Sequence, residues 1–261
     1  MSQRGFTLLE MALVLTVVGL LIGGGLLAVG PLIDKTNTTK TNTNMDQVEN
    51  ALELFVIRNA RLPCPADGSL PAANANYGLE QPAGGAGCTV ATTNAVIPWR
   101  TLGIDESYSL DAWGSRFTYF ASQNGTAGAL TSATSGTPAL SHSGATYPAG
   151  TFMTVTDVRS VTQPVTPTTG SDQAAYVLIS HGKSGWYGWG KSGVQHAASY
   201  AGGAKSCNNN PGACTLAANS YFTGNPTGGY PPSSNAYFDD MLRWRSPAFI
   251  IQLCGPGSCG N

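Results

Sequence analysis

Charge is scarce in this chain, with 13 Lys and Arg against 14 Asp and Glu over 261 residues and a net charge of −1. Nucleic-acid binding asks for a basic stripe, so no nucleic-acid partner is expected. Histidine is scarcer still. His142, His181 and His196 stand far from any cysteine pair at ligand spacing, and no C-x-x-C occurs, which argues against a metal–thiolate site. The chain has no H-E-x-x-H and no G-x-S-x-G, so zinc and serine hydrolases lack their usual local signatures. Gly182-Lys183-Ser184 imitates the end of a phosphate-binding loop, but the glycine such a loop needs five residues earlier is Val177. His181 is read as a turn or hydrogen-bonding residue at a strand end. No catalytic residue is assigned, and the chain is not expected to be an enzyme.

One long apolar run is present, and it sits at the start. Met1 to Gly5 is polar and basic, and Phe6 to Leu32 holds a single charge, Glu10. As a helix this run extends roughly 40 Å, more than the ~30 Å of a bilayer core. Three readings fit it. A secretory signal would use the small residues around Ala28-Val29-Gly30 for cleavage, although its apolar core is normally shorter and free of charge. A plain single-pass anchor explains the length but leaves a carboxylate in lipid at a cost on the order of 2.5–3.5 kcal/mol near the helix centre. The third reading gives Glu10 a use.

Gly5-Phe6-Thr7-Leu8-Leu9-Glu10 resembles the leader junction of type IV pilins and of the pseudopilins of type II secretion, and basic Arg4 agrees with it. The resemblance implies that a membrane-embedded prepilin peptidase cuts after Gly5 and that Phe6 becomes N-methylated. It also implies that Glu10 is an assembly residue. A buried carboxylate needs a charged or hydrogen-bonding partner. In this family that partner is taken to be the amino terminus of a neighbouring subunit, so the pair would set axial register in a filament. Gly19, Gly23, Gly24, Gly25 and Pro31 follow on the same helix. They read equally as small-residue packing of membrane helices and as a segment prone to melting, since glycine weakens a helix and proline removes a donor. Pro31 falls somewhat later than the family's usual proline.

Beyond the anchor roughly 200 residues remain, enough for one domain with its own core. All six cysteines lie there, and their even number suits an oxidising compartment and three disulfides. Sequence cannot choose among the fifteen possible pairings. Neighbours in sequence give the simplest set: Cys64–Cys88, Cys207–Cys214 and Cys254–Cys259. Residues 34–44 are a polar, threonine- and asparagine-rich collar of weak helix formers. From Met45 to Arg61, Met45, Val48, Leu52 and Phe55 recur at steps of three and four, with Asp46, Glu49, Asn50 and Glu53 on other faces. That spacing predicts a helix with one buried stripe. The organisation expected is a leader at 1–5, a membrane and filament-core helix at 6–33, its second half at 34–61 and a head at 62–261.

The head opens with a loop-rich stretch over 66–101. Strands are then expected at Arg116–Ala121, Thr151–Val155, Ala174–Ser180 and Ala248–Leu253, from their length and their β-branched and aromatic content. Residues 122–150, dominated by Ser, Thr, Ala and Gly, read as an exposed insertion. Three segments extend the resemblance over most of the chain. Asp111-Ala112-Trp113-Gly114 with Phe117 and Tyr119 looks like the element that opens the sheet in secretion pseudopilins. Val177 to Gly185 is similar to the strand and glycine turn that follows, and Phe238-Asp239-Asp240 to a closing segment of pilin-like heads. In major pseudopilins a late acidic loop binds calcium. Asp239 and Asp240 are the local candidates here, but calcium takes six to eight oxygens and the next acid upstream is Asp172. No cofactor is assigned.

The expected fold is α+β and pilin-like: a long N-terminal helix, its first half in the membrane, packed on an antiparallel sheet with loop insertions. The expected role is a structural subunit, a minor one, of a type IV pilus or type II secretion pseudopilus. Its partners would be prepilin peptidase, other pilin or pseudopilin subunits and an inner-membrane assembly platform. The head would lie in the periplasm before assembly, and afterwards in a periplasmic pseudopilus or an extracellular pilus. A membrane-anchored periplasmic binding protein and a pilus-tip adhesin are the alternatives.

Overall fold

A computed structural model of the chain describes residues 7–85, 87–122, 130–131, 153–157, 173–198, 203–211, 220–224 and 237–253, without the side chains of 21, 23–29, 220 and 251. The chain divides into two units, Met1–Lys40 and Thr41–Asn261.

The first unit is the leading part of helix α1, Leu8–Asn59, and it is helical from Leu8 onward. Leu8, Leu9, Met11, Leu13, Val14, Leu15, Val17, Val18, Leu20 and Ile22 are all exposed, as are Leu32 and Ile33. These positions cover every face of the helix, and such an all-round apolar surface belongs to helices buried in protein or lipid. Among the described residues, no helix is long and apolar enough to cross a membrane. The middle of the apolar run, Leu21 and residues 23–29, has side chains outside the described set. The helix is continuous through Gly19, Gly23, Gly24, Gly25 and Pro31. The collar is helical as well, against the weak propensity of its threonines. Thr36, Thr38 and Thr39 turn their hydroxyls back onto the carbonyls of Leu32, Asp34 and Lys35 at 2.9, 2.9 and 3.0 Å. A hydroxyl satisfied on its own helix no longer competes with the helix for backbone partners.

In the second unit the same helix supplies the core. Met45, Val48, Leu52 and Val56 are fully or almost fully buried. The expected stripe is correct up to Leu52, after which Val56, four residues on, takes the core position and Phe55 is only half-buried. Glu49, expected on another face, is buried, because two arginines and a tyrosine hydroxyl reach it there. The helix ends at Asn59, and Ala60 turns into the left-handed region (φ 53°) with its N–H on the Val56 carbonyl.

The head has seven short strands among its described residues: β1 (Ala66–Asp67), β2 (Ala95–Val96), β3 (Thr118–Ala121), β4 (Thr154–Asp157), β5 (Tyr176–Ser180), β6 (Ser220–Thr223) and β7 (Met241–Arg245). Five form an antiparallel sheet in the order β1-β2-β3-β5-β7, while β4 and β6 pair in parallel as a second, two-stranded sheet. Alternation along β3 and β5 separates two cores. Tyr119, Ala121, Tyr176 and Leu178 face Met45, Val48, Leu52 and Val56 of α1. Phe120, Val177 and Ile179 face the opposite way, onto Val155 of β4 and Tyr221 of β6. Helix, sheet and small sheet thus make three layers, and β5, in the middle layer, is buried along its whole length.

The strands expected at 116–121 and 174–180 are β3 and β5. The one expected at 151–155 is β4 where it is described, Thr154–Asp157. Ala248–Leu253 is not a strand. Helix α4 spans Pro247–Leu253, and Ser246 caps it by accepting the Phe249 N–H at 3.2 Å. A serine cap followed by proline at the first helical position outweighs the strand-like Phe249-Ile250-Ile251 composition. The loop over 66–101 holds β1, β2 and helix α2 (Trp99–Leu102), and α3 (Gly203–Asn209) follows β5 in the chain. Cys64 and Cys88 form a disulfide.

Candidate functional site

Gly5 and Phe6 lie outside the described residues. The described chain begins at Thr7, and Thr7 and Glu10 form a reciprocal cap. Glu10 Oε2 accepts from the Thr7 N–H and the Thr7 hydroxyl, both at 3.1 Å, and Thr7 Oγ1 accepts from the Glu10 N–H at 3.3 Å. This is a capping box, in which Ser or Thr and an acid three residues later each satisfy an orphan N–H at a helix start. It gives the single acid of the apolar run a hydrogen-bonded place at the positive end of α1. At Gly19 and Gly30 a Cβ would meet nothing within 4 Å, so no contact among the described residues requires glycine there.

A second cluster lies in the head, where the turn after β5, helix α3 and the segment entering β7 converge. Lys205 on α3 is buried, and its Nζ donates to the His181 carbonyl at 3.1 Å, to Asp239 Oδ1 at 2.5 Å and to Asp240 Oδ1. Asp239 also accepts from the Ser184 N–H at 2.7 Å, the Ser184 hydroxyl at 3.0 Å and the Tyr237 hydroxyl at 3.2 Å. Asn208, one turn along α3 from Lys205, donates to Asp240 Oδ2 and to the Phe222 carbonyl, both at 2.9 Å. It accepts the Phe222 N–H at 2.6 Å, tying β6 to the same cluster. Gly182 makes the turn possible. Its φ is +64°, and an added Cβ would stand 2.2 Å from the Asp239 carbonyl oxygen.

Burial raises the Asp240 carboxyl above its usual range, with Lys205 pulling the other way. Burial works against the Lys205 ammonium, but attraction to Asp240 and Asp239 outweighs it and holds the amine above the ordinary lysine value. His181 is fully buried with Nε2 on the Thr118 hydroxyl at 2.8 Å, and Nδ1 faces Asp240 across 3.9 Å without a hydrogen-bond partner among the described residues. Burial, and then the Lys205 charge, push its pKa down to about 3, so the ring is neutral. Asp111, at the start of the Asp-x-Trp-Gly turn, accepts from the N–H groups of Trp113 and Ser115 at 3.0 and 2.9 Å. It also accepts the Ser180 hydroxyl at 2.8 Å. Burial drives its pKa up to about 6 against those bonds.

Among the described residues, no group of three or more His, Cys, Asp or Glu is placed to hold a metal ion. Asp239 and Asp240 come together as the sequence suggested, but around a lysine. Lys205 was legible only as charge arithmetic, being the one cation between Lys191 and Arg243 and facing the only acids after Asp172. Arg61 was missed too. It pairs with buried Glu80 at 2.7 and 2.8 Å, and Glu80 also accepts the Cys64 N–H at 3.0 Å, fixing the chain beside the disulfide. Cys207 is disulfide-bonded to a partner outside the described residues, and Cys214, Cys254 and Cys259 lie outside them as well.

Residues 1–26 match the family model of the prokaryotic N-terminal methylation motif. The chain therefore carries the amino-terminal methylation motif, whose start is similar to the leader junction of prepilins. Comparison with curated proteins and with solved structures gave no match.

Proposed function

We propose that this chain is a structural subunit, a minor one, of an envelope filament of the type IV pilus or type II secretion pseudopilus kind. The observation that carries this reading is the methylation motif over residues 1–26, which leads into a helix with apolar side chains exposed on every face. In this reading prepilin peptidase cuts after Gly5 and methylates Phe6. Residues 6–33 anchor the subunit in the inner membrane, with the head in the periplasm, and later enter the filament core beside other pilin subunits. Glycines with open space at their Cβ positions, Gly19 and Gly30, suit close approach of a neighbouring helix there. The inner-membrane assembly platform extracts the subunit. The role is assembly rather than catalysis. The head leans the reading toward a minor subunit, because long insertions are hard to repeat along a whole filament.

Glu10 gives the test. In the free subunit its carboxylate is satisfied by Thr7, and in the filament it would exchange that partner for the new amino terminus of a neighbour. Glu10→Val should leave cleavage after Gly5 largely intact and reduce recovery in sheared filaments at least about tenfold, the effect of losing roughly 1.4 kcal/mol of subunit docking. Normal incorporation of the variant would remove the role assigned to the carboxylate.

A further inference from the structure

Lys205 Nζ has the surroundings of a bound cation. A backbone carbonyl, His181 O at 3.1 Å, and two carboxylates, Asp239 at 2.5 Å and Asp240, converge on it from the turn after β5 and the entry to β7. Carboxylate and carbonyl oxygens are the kind hard divalent cations take, and calcium gathers six to eight of them. The Trp186 ring, 6.0 Å away, adds a π-face on the same ammonium.

Calcium, which the resemblance to major pseudopilins implies for this acidic pair, does not fit these residues. The point where the oxygens meet is filled by an ammonium. A divalent ion beside it would meet like-charge repulsion in a site that excludes water, and among the described residues two carboxylates are there to offset three positive charges. We infer that Lys205 is a tethered cation standing in for a divalent metal. The head closes around its own lysine, is indifferent to calcium and to chelators, and would become calcium-dependent if the lysine side chain were cut back.

Several features support replacement over a simple surface ion pair. The Lys205 side chain is 3% exposed, and those of its carboxylate partners are 8% and 0% exposed. The carbonyl contact comes from the turn that Gly182 alone permits. The cluster also joins the end of β5 and the entry to β7 to α3, and through Asn208 to β6, as a structural metal would. A metal dissociates when its free concentration falls below its Kd, whereas a side chain is always at its site. The inference concerns the head alone and does not depend on the filament reading.

The test compares thermal midpoints, followed by tryptophan fluorescence, of the full chain in detergent micelles with EDTA or with calcium at about 10 mM. That concentration is well above the roughly 10⁻⁴–10⁻³ M Kd of extracellular calcium modules. The wild-type midpoint should be the same in both. Lys205→Ala empties the pocket and leaves two buried carboxylates unpaired. Its midpoint should fall by on the order of 10 °C in EDTA and recover at least half of that in calcium. Lys205→Met removes the charge but keeps the pocket filled, and calcium should not restore it. The inference is overturned if EDTA lowers or calcium raises the wild-type midpoint, or if calcium restores Lys205→Ala no better than Lys205→Met. Should Lys205→Ala give no folded protein in EDTA, the readout becomes recovery of folded protein on refolding with calcium, and no recovery overturns it equally.

Discussion

Two buried residues of the head pull its pH dependence in opposite directions. Asp111 has a folded pKa of about 6, raised from 3.8. Its contribution to stability is complete below the unfolded value and is lost as pH rises through 6, a swing on the order of 3 kcal/mol. His181 has a folded pKa of about 3, lowered from 6.5. Its contribution is present above the unfolded value and is lost as pH falls toward 3, a swing on the order of 4–5 kcal/mol. Acidification from neutral pH to about 4 should therefore weaken the head through His181 while Asp111 offsets a large part of the loss. Asp111→Asn keeps an acceptor for the N–H groups of Trp113 and Ser115 but removes the offset. Its urea midpoint should fall more steeply between about pH 6 and pH 4 than that of the wild type, and equal slopes would show that Asp111 does not titrate in that window. Asp111 could be read from the sequence because a tight turn is written in neighbouring residues. Lys205 showed only as a lone cation in the charge count, because its carboxylate partners are 34 and 35 positions away and a lone lysine carries no periodic signal.

At the scale of elements, α1 was legible in proportion to how regular its burial is. Met45, Val48 and Leu52 are spaced for one face, and they lie against Tyr119, Tyr176 and Leu178 of the sheet. Leu52→Ala should lower the unfolding free energy of the head by about 2–5 kcal/mol, measured by denaturant unfolding. A cost below about 1 kcal/mol would mean that the helix does not share the sheet's core. The drift from Phe55 to Val56 has a physical cause. Phe55 lies under the Arg61 guanidinium at 5.0 Å instead of entering the core. Strands β1 and β2 were not legible, since two residues each are too few to carry an alternation. β7 was hidden for another reason. Its Arg243 and Arg245 reach Glu49 of α1, so charges stand where a strand pattern expects apolar side chains. α4 has the composition of a strand, and its serine cap and first-turn proline are the signals that make it a helix.

For the whole molecule, an α+β layout with a long leading helix and an antiparallel sheet followed from the order of patterns along the chain. The second sheet did not, because its parallel pairing joins β4 and β6 across a long separation in sequence. The Cys64–Cys88 bridge closes a loop of 24 residues between the end of α1 and the approach to β2. The double variant Cys64→Ser and Cys88→Ser should lose roughly 3 kcal/mol of head stability by denaturant unfolding, chiefly through a less constrained unfolded chain. No loss would mean that the Arg61–Glu80 pair already holds this segment. Intact-mass and amino-terminal peptide spectrometry of membrane and filament fractions shows whether the first residues are processed as a prepilin. Cleavage after Gly5 and methylation should give a chain starting at Phe6 and carrying one added methyl group. A chain starting at Met1 or Ser2 in those fractions, or one starting at Pro31, would contradict it.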